Sequence, residues 1–171
     1  LALDAALTGT AMVAQDEWSG LSHLEGRSVG VLADLAPREA ALVADGKVVI
    51  DPPANAVQIG LAFRHEIEPL PPDIISPSGA ATGPLRLVAV TFRLLETAAL
   101  SVDLGRGAEP VPFRRLDTSL LDAAPPSFTG DVTLRGLGWR RDRLRPVWRV
   151  ESDAPLPMTL LSVTTEIRMT D

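Results

Sequence analysis

Between Ser28 and Phe63 apolar residues return at every second position and turn residues break the runs, which limits this stretch to short β-strands. Val29 and Val31 alternate with small residues, and Val57, Ile59, Leu61 and Phe63 keep a strict period of two. Side chains two apart on an extended chain share a face, so each run has one side to bury and one to leave in water. Asp45-Gly46 supplies the punctuation, because both residues tolerate the positive φ that a two-residue hairpin requires. Four strands are expected here, near 28–32, 40–44, 48–50 and 56–63, with Pro52-Pro53 blocking continuation of the third.

Composition extends the same conclusion along the chain. Among 171 residues there are fifteen prolines and thirteen glycines but only seven aromatics, a balance suited to many short elements joined by turns. The 46% apolar content is enough for a core. The expected class is all-β, a compact antiparallel sandwich or barrel with long Pro/Gly-rich loops. One domain over 1–171 is favoured, with 18–66 and 84–171 as possible subdomains, since each β cluster alone would struggle to bury a core.

The second half carries its own strands. Leu85–Leu95 is the strongest, with Val88, Val90, Phe92 and Leu94 on one face, and a short strand at 100–104 is expected to pair with it through a tight turn. Near the end, 132–134, 143–150 and 158–169 read as strands, the second placing Arg143, Arg145 and Arg149 opposite Leu144, Trp148 and Val150. Prolines argue for irregular chain over 67–84 and 109–129, with one helical turn near 116–123. Residues 1–15 show no clear period.

Charge and missing residue types narrow the chemistry. A net charge of −6 disfavours tight wrapping around DNA. The apolar runs fall far short of the ~20 residues of a spanning helix. No amino-terminal pattern resembles a signal peptide. With no cysteine, disulfides, thiol catalysis and thiolate metal sites are all ruled out.

Catalytic constellations are weak. Ser22 and His23 are adjacent, so on an extended chain they point apart, and no G-x-S-x-G elbow is present. His23 and His65 lack paired ligand spacing, although Glu66 and Glu68 lie near the second. The acidic pairs Asp16-Glu17, Glu66-x-Glu68 and Glu151-x-Asp153 are of the kind any acidic surface carries. Gly136-x-Gly138 is no phosphate loop. No catalytic, metal or cofactor site is therefore expected, and no enzyme. One cluster suits a ligand: Trp139, Arg140, Arg141, Arg143, Arg145 and Trp148 join guanidinium forks to aromatic faces, a combination that serves phosphates or sugars. The competing explanation is a solvated hairpin face whose tryptophans anchor the core.

As a pattern, several segments resemble a known module. Trp18–Gly26, Ser28–Asp34, Asp45–Ile50 and Asn55–Phe63, with Ser127–Asp131, Gly138–Asp142 and Asp153–Ile167, are similar to the carboxy-terminal domain of the host-specificity ("megatron") protein in gene transfer agent tail tips. Some phage tail nozzle proteins carry a related module. The likeness runs from about Trp18 to Asp171, which implies that Asp171 is a true carboxy terminus and that Leu1 is a cut inside a longer chain. Leu35 departs from it where similar sequences often have glycine, which counts against a tight turn at Asp34, and Ala62-Phe63 stands in place of Pro-Tyr. The resemblance implies a structural and host-recognition domain of a tail tip or baseplate, made in the bacterial cytoplasm and carried in a virion-like particle. Its partners would be other tail-tip and hub proteins, in three copies, or six on the nozzle branch, with DNA passing nearby and no membrane span. A carbohydrate-binding module for surface polysaccharide or peptidoglycan is the alternative, with Trp139, Trp148 and the arginines in one concave patch.

Overall fold

The structure, a computed structural model, describes residues 3–72, 75–76, 79–80, 83–113, 125–136 and 138–170. It is all-β: three antiparallel sheets and a two-stranded ribbon, with one 3₁₀ turn at Ser22–Leu24 and no α-helix among the described residues. Among the described residues none of the sheets closes into a barrel. The chain gathers into two compact units. One takes the described residues of Leu1–Arg64, Phe113–Pro126 and Asp153–Pro157, and the other those of His65–Pro112, Ser127–Ser152 and Met158–Asp171.

In the first unit, β1 (Asp4–Ser19), β2 (Ser28–Ala33), β3 (Ala36–Leu42) and β4 (Lys47–Leu61) form a sheet in the order β1-β4-β2-β3. The expected alternation sets its core. Val29, Val31, Val48, Val57 and Ile59 are buried together with Trp18, Leu21, Leu24 and Val43, and each such side chain removed from water contributes roughly 1.5–3 kcal/mol. Asp45 and Gly46 both have positive φ, 53° and 67°, and the Ala44↔Lys47 bridge closes the turn.

Residues 1–15, without a clear period, turn out to hold most of β1. The period is lost because the β1–β4 ladder is interrupted three times: Ala5-Ala6 leave it between Asp4↔Leu61 and Leu7↔Ile59, Ala11–Ala14 between Thr10↔Ala56 and Gln15↔Ala54, and Ile50–Pro53 between Gln15↔Ala54 and Glu17↔Val49. Pro52-Pro53 therefore does not end the strand as expected. Lacking amide hydrogens, the two prolines sit in the bulge, where no ladder bond is required, and β4 resumes beyond them.

A second expectation is also corrected. Asp34 and Leu35 form a tight β2–β3 turn, with φ of 49° and 66° and Ala33↔Ala36 paired across it. The Asp34 carboxylate compensates for the absent glycine by accepting the backbone N–H of Asn55 at 3.2 Å and of Ala56 at 2.9 Å. Leu35, being exposed, crowds nothing.

In the second unit, β5 (His65–Ile67) precedes the ribbon of β6 (Ile75–Ser76) and β7 (Gly79–Ala80). Then follow β8 (Leu85–Thr97), β9 (Ser101–Asp103), β10 (Ala108–Pro110), β11 (Phe128–Arg135), β12 (Arg149–Ser152) and β13 (Leu160–Met169). One sheet runs β10-β9-β12-β5 and the other β11-β8-β13. The buried residues come from both: Leu85, Val90, Phe92 and Leu94 from β8, Val102 from β9 and Val150 from β12. Phe92 meets Trp148, just ahead of β12, in an edge-to-face contact at 5.4 Å, so the two sheets face each other as in a sandwich.

The strand at 100–104 does not pair with β8 as expected. Glu96 has φ 45°, and the Thr97 hydroxyl accepts the Thr159 N–H at 3.1 Å, which turns the chain out of the β8 sheet so that β9 joins β10 and β12. The expected helical turn at 116–123 lies outside the described residues.

Candidate ligand-binding surface

The Trp139–Trp148 segment links β11 to β12, and Arg140 organises it. Its backbone N–H donates to the Leu85 carbonyl at 2.8 Å, and its carbonyl accepts the Leu85 N–H at 2.9 Å, which pins the segment to the start of β8. The guanidinium turns inward, Nη1 donating to the Pro146 carbonyl at 2.8 Å and Nη2 to that of Arg145 at 2.7 Å. Burial pulls its pKa below the ordinary arginine value, opposed by the charge of Asp142. The loop is thus folded around its own arginine.

That capture explains why no strand spans 143–150. Carbonyls 145 and 146, which a ladder would need, are already taken, Pro146 offers no amide hydrogen, and only Arg149–Ser152 is a strand. The expected arginine face is consequently dispersed. Arg145 Nε pairs with Asp142 at 3.0 Å, while Arg149 pairs with Glu68 and, at 3.3 Å, with Glu66. Arg141 is exposed and Arg143 half-buried.

The tryptophans separate in the same way. Trp148 is buried, with its indole N–H donating to Thr165 Oγ1 at 3.0 Å. Trp139 is 45% exposed. Of the six residues singled out by sequence, Trp148 and Arg140 are therefore committed to the fold and Arg145 to a loop ion pair. The remaining three, Trp139, Arg141 and Arg143, are the ones whose side chains form no hydrogen bond or ion pair with the described residues. With Trp148 buried, the segment offers no two-tryptophan groove.

Elsewhere, the chemistry-bearing residues have structural partners. His23 Nε2–H donates to the Ala5 carbonyl at 3.0 Å, Glu17 holds Lys47 at 2.8 Å, and Glu66 and Glu68 hold Arg149. Among the described residues no three His, Asp or Glu side chains gather as metal ligands, and no helix is long and apolar enough to cross a membrane.

Two features were not singled out from the sequence. Met12 and Val13, on the Ala11–Ala14 bulge, are 103% and 78% exposed. A cleft of about 250 Å³ lies among β9, β10 and the end of β11. An apolar pair inside a stretch without alternation was the one available signal for the first; the second joins residues distant in sequence. No protein-family model matches the chain, and no curated protein does.

Proposed function

We propose that the chain is a non-enzymatic structural and host-recognition domain of a phage-like gene transfer agent tail tip, built to contact other tail proteins. Two things support this reading, the resemblance of its turn and strand signatures and one surface feature. Ala11–Ala14 leave the ladder as a four-residue excursion on which Met12 and Val13 are exposed to solvent. A methionine and a valine at the tip of a projecting bulge are suited to entering an apolar recess of a neighbour, since burying both removes apolar area from water at roughly 25 cal/mol per Å². In this reading the bulge is an assembly contact of a trimeric tail ring, or of a hexameric one on the nozzle branch.

Co-purification with tail-hub proteins of the same particle tests the proposal. Wild-type chain is expected to comigrate with a hub component on size exclusion, and Met12→Asp/Val13→Asp to abolish comigration. Failure of the wild type to associate with any tail component would overturn it.

A second reading, glycan binding, rests on the exposure of Trp139 and of Arg141, two positions along the chain. Sugars stack on exposed indole faces while guanidinium groups hydrogen-bond their oxygens. Its test is a polysaccharide or peptidoglycan pull-down, in which signal should vanish with Trp139→Ala and survive Trp139→Phe. No signal from the wild type would remove this reading.

A further inference from the structure

The cleft among β9, β10 and the end of β11 has a composition its neighbours do not neutralise. Val102, Leu104, Val111 and Leu134 supply apolar wall, and two arginines, Arg106 and Arg135, stand on its lining. Neither guanidinium forms an ion pair or hydrogen bond with the described residues. Apolar wall with a few convergent polar groups is the usual make-up of a small-molecule site.

The turn that carries Arg106 is fixed independently of any ligand. Asp103 Oδ1 accepts the backbone N–H of Gly105 at 2.6 Å and those of Arg106 and Gly107, each at 3.0 Å. This has two consequences. Asp103, the aspartate nearest Arg106 in sequence, is turned to backbone donors and forms no ion pair with it, so the guanidinium is left for another partner. The three amide hydrogens that would otherwise make an anion nest for phosphate are taken as well. What remains on the lining is two guanidinium forks, each of the shape that matches the two oxygens of a carboxylate.

We infer that this cleft binds a small carboxylate with an apolar body, such as a short-chain or branched acid, or the terminal residue of a chain ending in an apolar side chain. The volume, about 250 Å³, lies just below the ~300–1,000 Å³ of drug-sized sites, leaving room for one side chain. An acidic sugar fits less well, because its hydroxyls would face Val102, Leu104, Val111 and Leu134 without partners. Glu109 also lines the cleft, and against two arginines it leaves a net charge of one positive, suited to a monoanion. The inference stands apart from the tail-tip reading.

The test is a titration of the full chain, followed by amide ¹H–¹⁵N spectra, with N-acetyl-leucine, N-acetyl-leucinamide and galacturonate as probes. N-acetyl-leucine is expected to shift Val102, Val111 and Leu134 saturably. The amide, which lacks the charge, and galacturonate, which lacks the apolar body, should each bind at least about tenfold more weakly. Arg106→Gln and Arg135→Gln should each weaken N-acetyl-leucine about tenfold, and Glu109→Gln should tighten it a few-fold. A peptide ending in free leucine that binds better than N-acetyl-leucine identifies a chain terminus as the source, and equal binding identifies a free acid. No saturable shift in the wild type, or equal binding of the amide or of galacturonate, overturns the inference even if the arginine variants do not fold.

Discussion

The Trp148 indole N–H donates to Thr165 Oγ1 at 3.0 Å while the ring lies edge-on to Phe92, so a residue that sequence offers as a ligand stacker ties together the two sheets of its unit. Trp148→Ala should cost about 3–5 kcal/mol, because it empties an aromatic-sized space. Trp148→Phe keeps much of the ring but leaves the Thr165 hydroxyl without its donor, for about 1–2 kcal/mol. Urea denaturation followed by circular dichroism measures both. A Trp148→Ala loss below about 1 kcal/mol would contradict this placement.

Asp34 and Leu35 give a pair of opposed predictions. Leu35→Gly relieves a positive φ of 66° in an exposed side chain. The relief of about 1–2 kcal/mol outweighs the 0.4–1 kcal/mol that glycine adds to unfolded-state entropy, so stability should rise slightly. Asp34→Ala removes the acceptor for the Asn55 and Ala56 amides and should lower stability by about 1–2 kcal/mol. Thermal melts of the two variants should therefore move in opposite directions.

Gly60→Ala should destabilise without altering any charge. A Cβ there would come within 2.6 Å of the Asp4 carbonyl oxygen and 2.9 Å of the Ala6 Cα, both backbone atoms of the paired strand β1. Strand backbone cannot step aside as a side-chain tip can, so a loss of about 1–3 kcal/mol is expected. Gly105→Ala meets no atom but has φ 103°, so its loss, read in the same denaturation series, is one of backbone conformation alone.

Acid should weaken the second unit through Asp103. Burial raises its pKa, but the amides of Gly105, Gly107 and Arg106 and the charge of Arg149 together hold it below the ordinary aspartate value. A depressed folded-state pKa means that the unfolded chain binds the proton first as pH falls. The stabilisation is complete above the ordinary aspartate value near 4 and is lost as pH falls through the lower folded value. Asp103→Asn should melt earlier than wild type at about pH 7 and lose less on acidification to about pH 2. Parallel acid limbs for the two proteins would contradict the assignment.

The strands were legible where one rule acted alone. Val57, Ile59 and Leu61 lie on a strand with one buried face, and Asp45-Gly46 has no competing fate. Prediction failed where a side chain outside the local pattern intervened: Arg140 capturing carbonyls 145 and 146, Thr97 binding Thr159, Asp34 reaching β4. The last two join separate segments and the first is a side chain capturing the backbone of its own loop, and none of them is visible to periodicity. The Trp/Arg cluster divides between fold and surface for the same reason. Alternation assigns faces, but it does not show which arginines find acceptors. The cleft of Arg106 and Arg135 needs β9, β10 and β11 brought together, and no local spacing encodes that.

The Met12-Val13 tip yields the prediction that separates folding from assembly. Both side chains are exposed, on a bulge that makes no ladder pairs of its own, so Met12→Asp/Val13→Asp removes no buried apolar area from the isolated chain. Surface changes of this kind usually stay within about ±0.5 kcal/mol, and the urea midpoint should be nearly unmoved. Asn55 Nδ2 donates to the Ala11 carbonyl at 3.3 Å and so holds the base of the excursion, and Asn55→Ala should loosen that base while leaving the apolar tip in place. The assembly reading then predicts an order: full association for wild type, a partial loss for Asn55→Ala and none left for the double aspartate. Equal association of all three, with equal stability, would assign the contact to another surface.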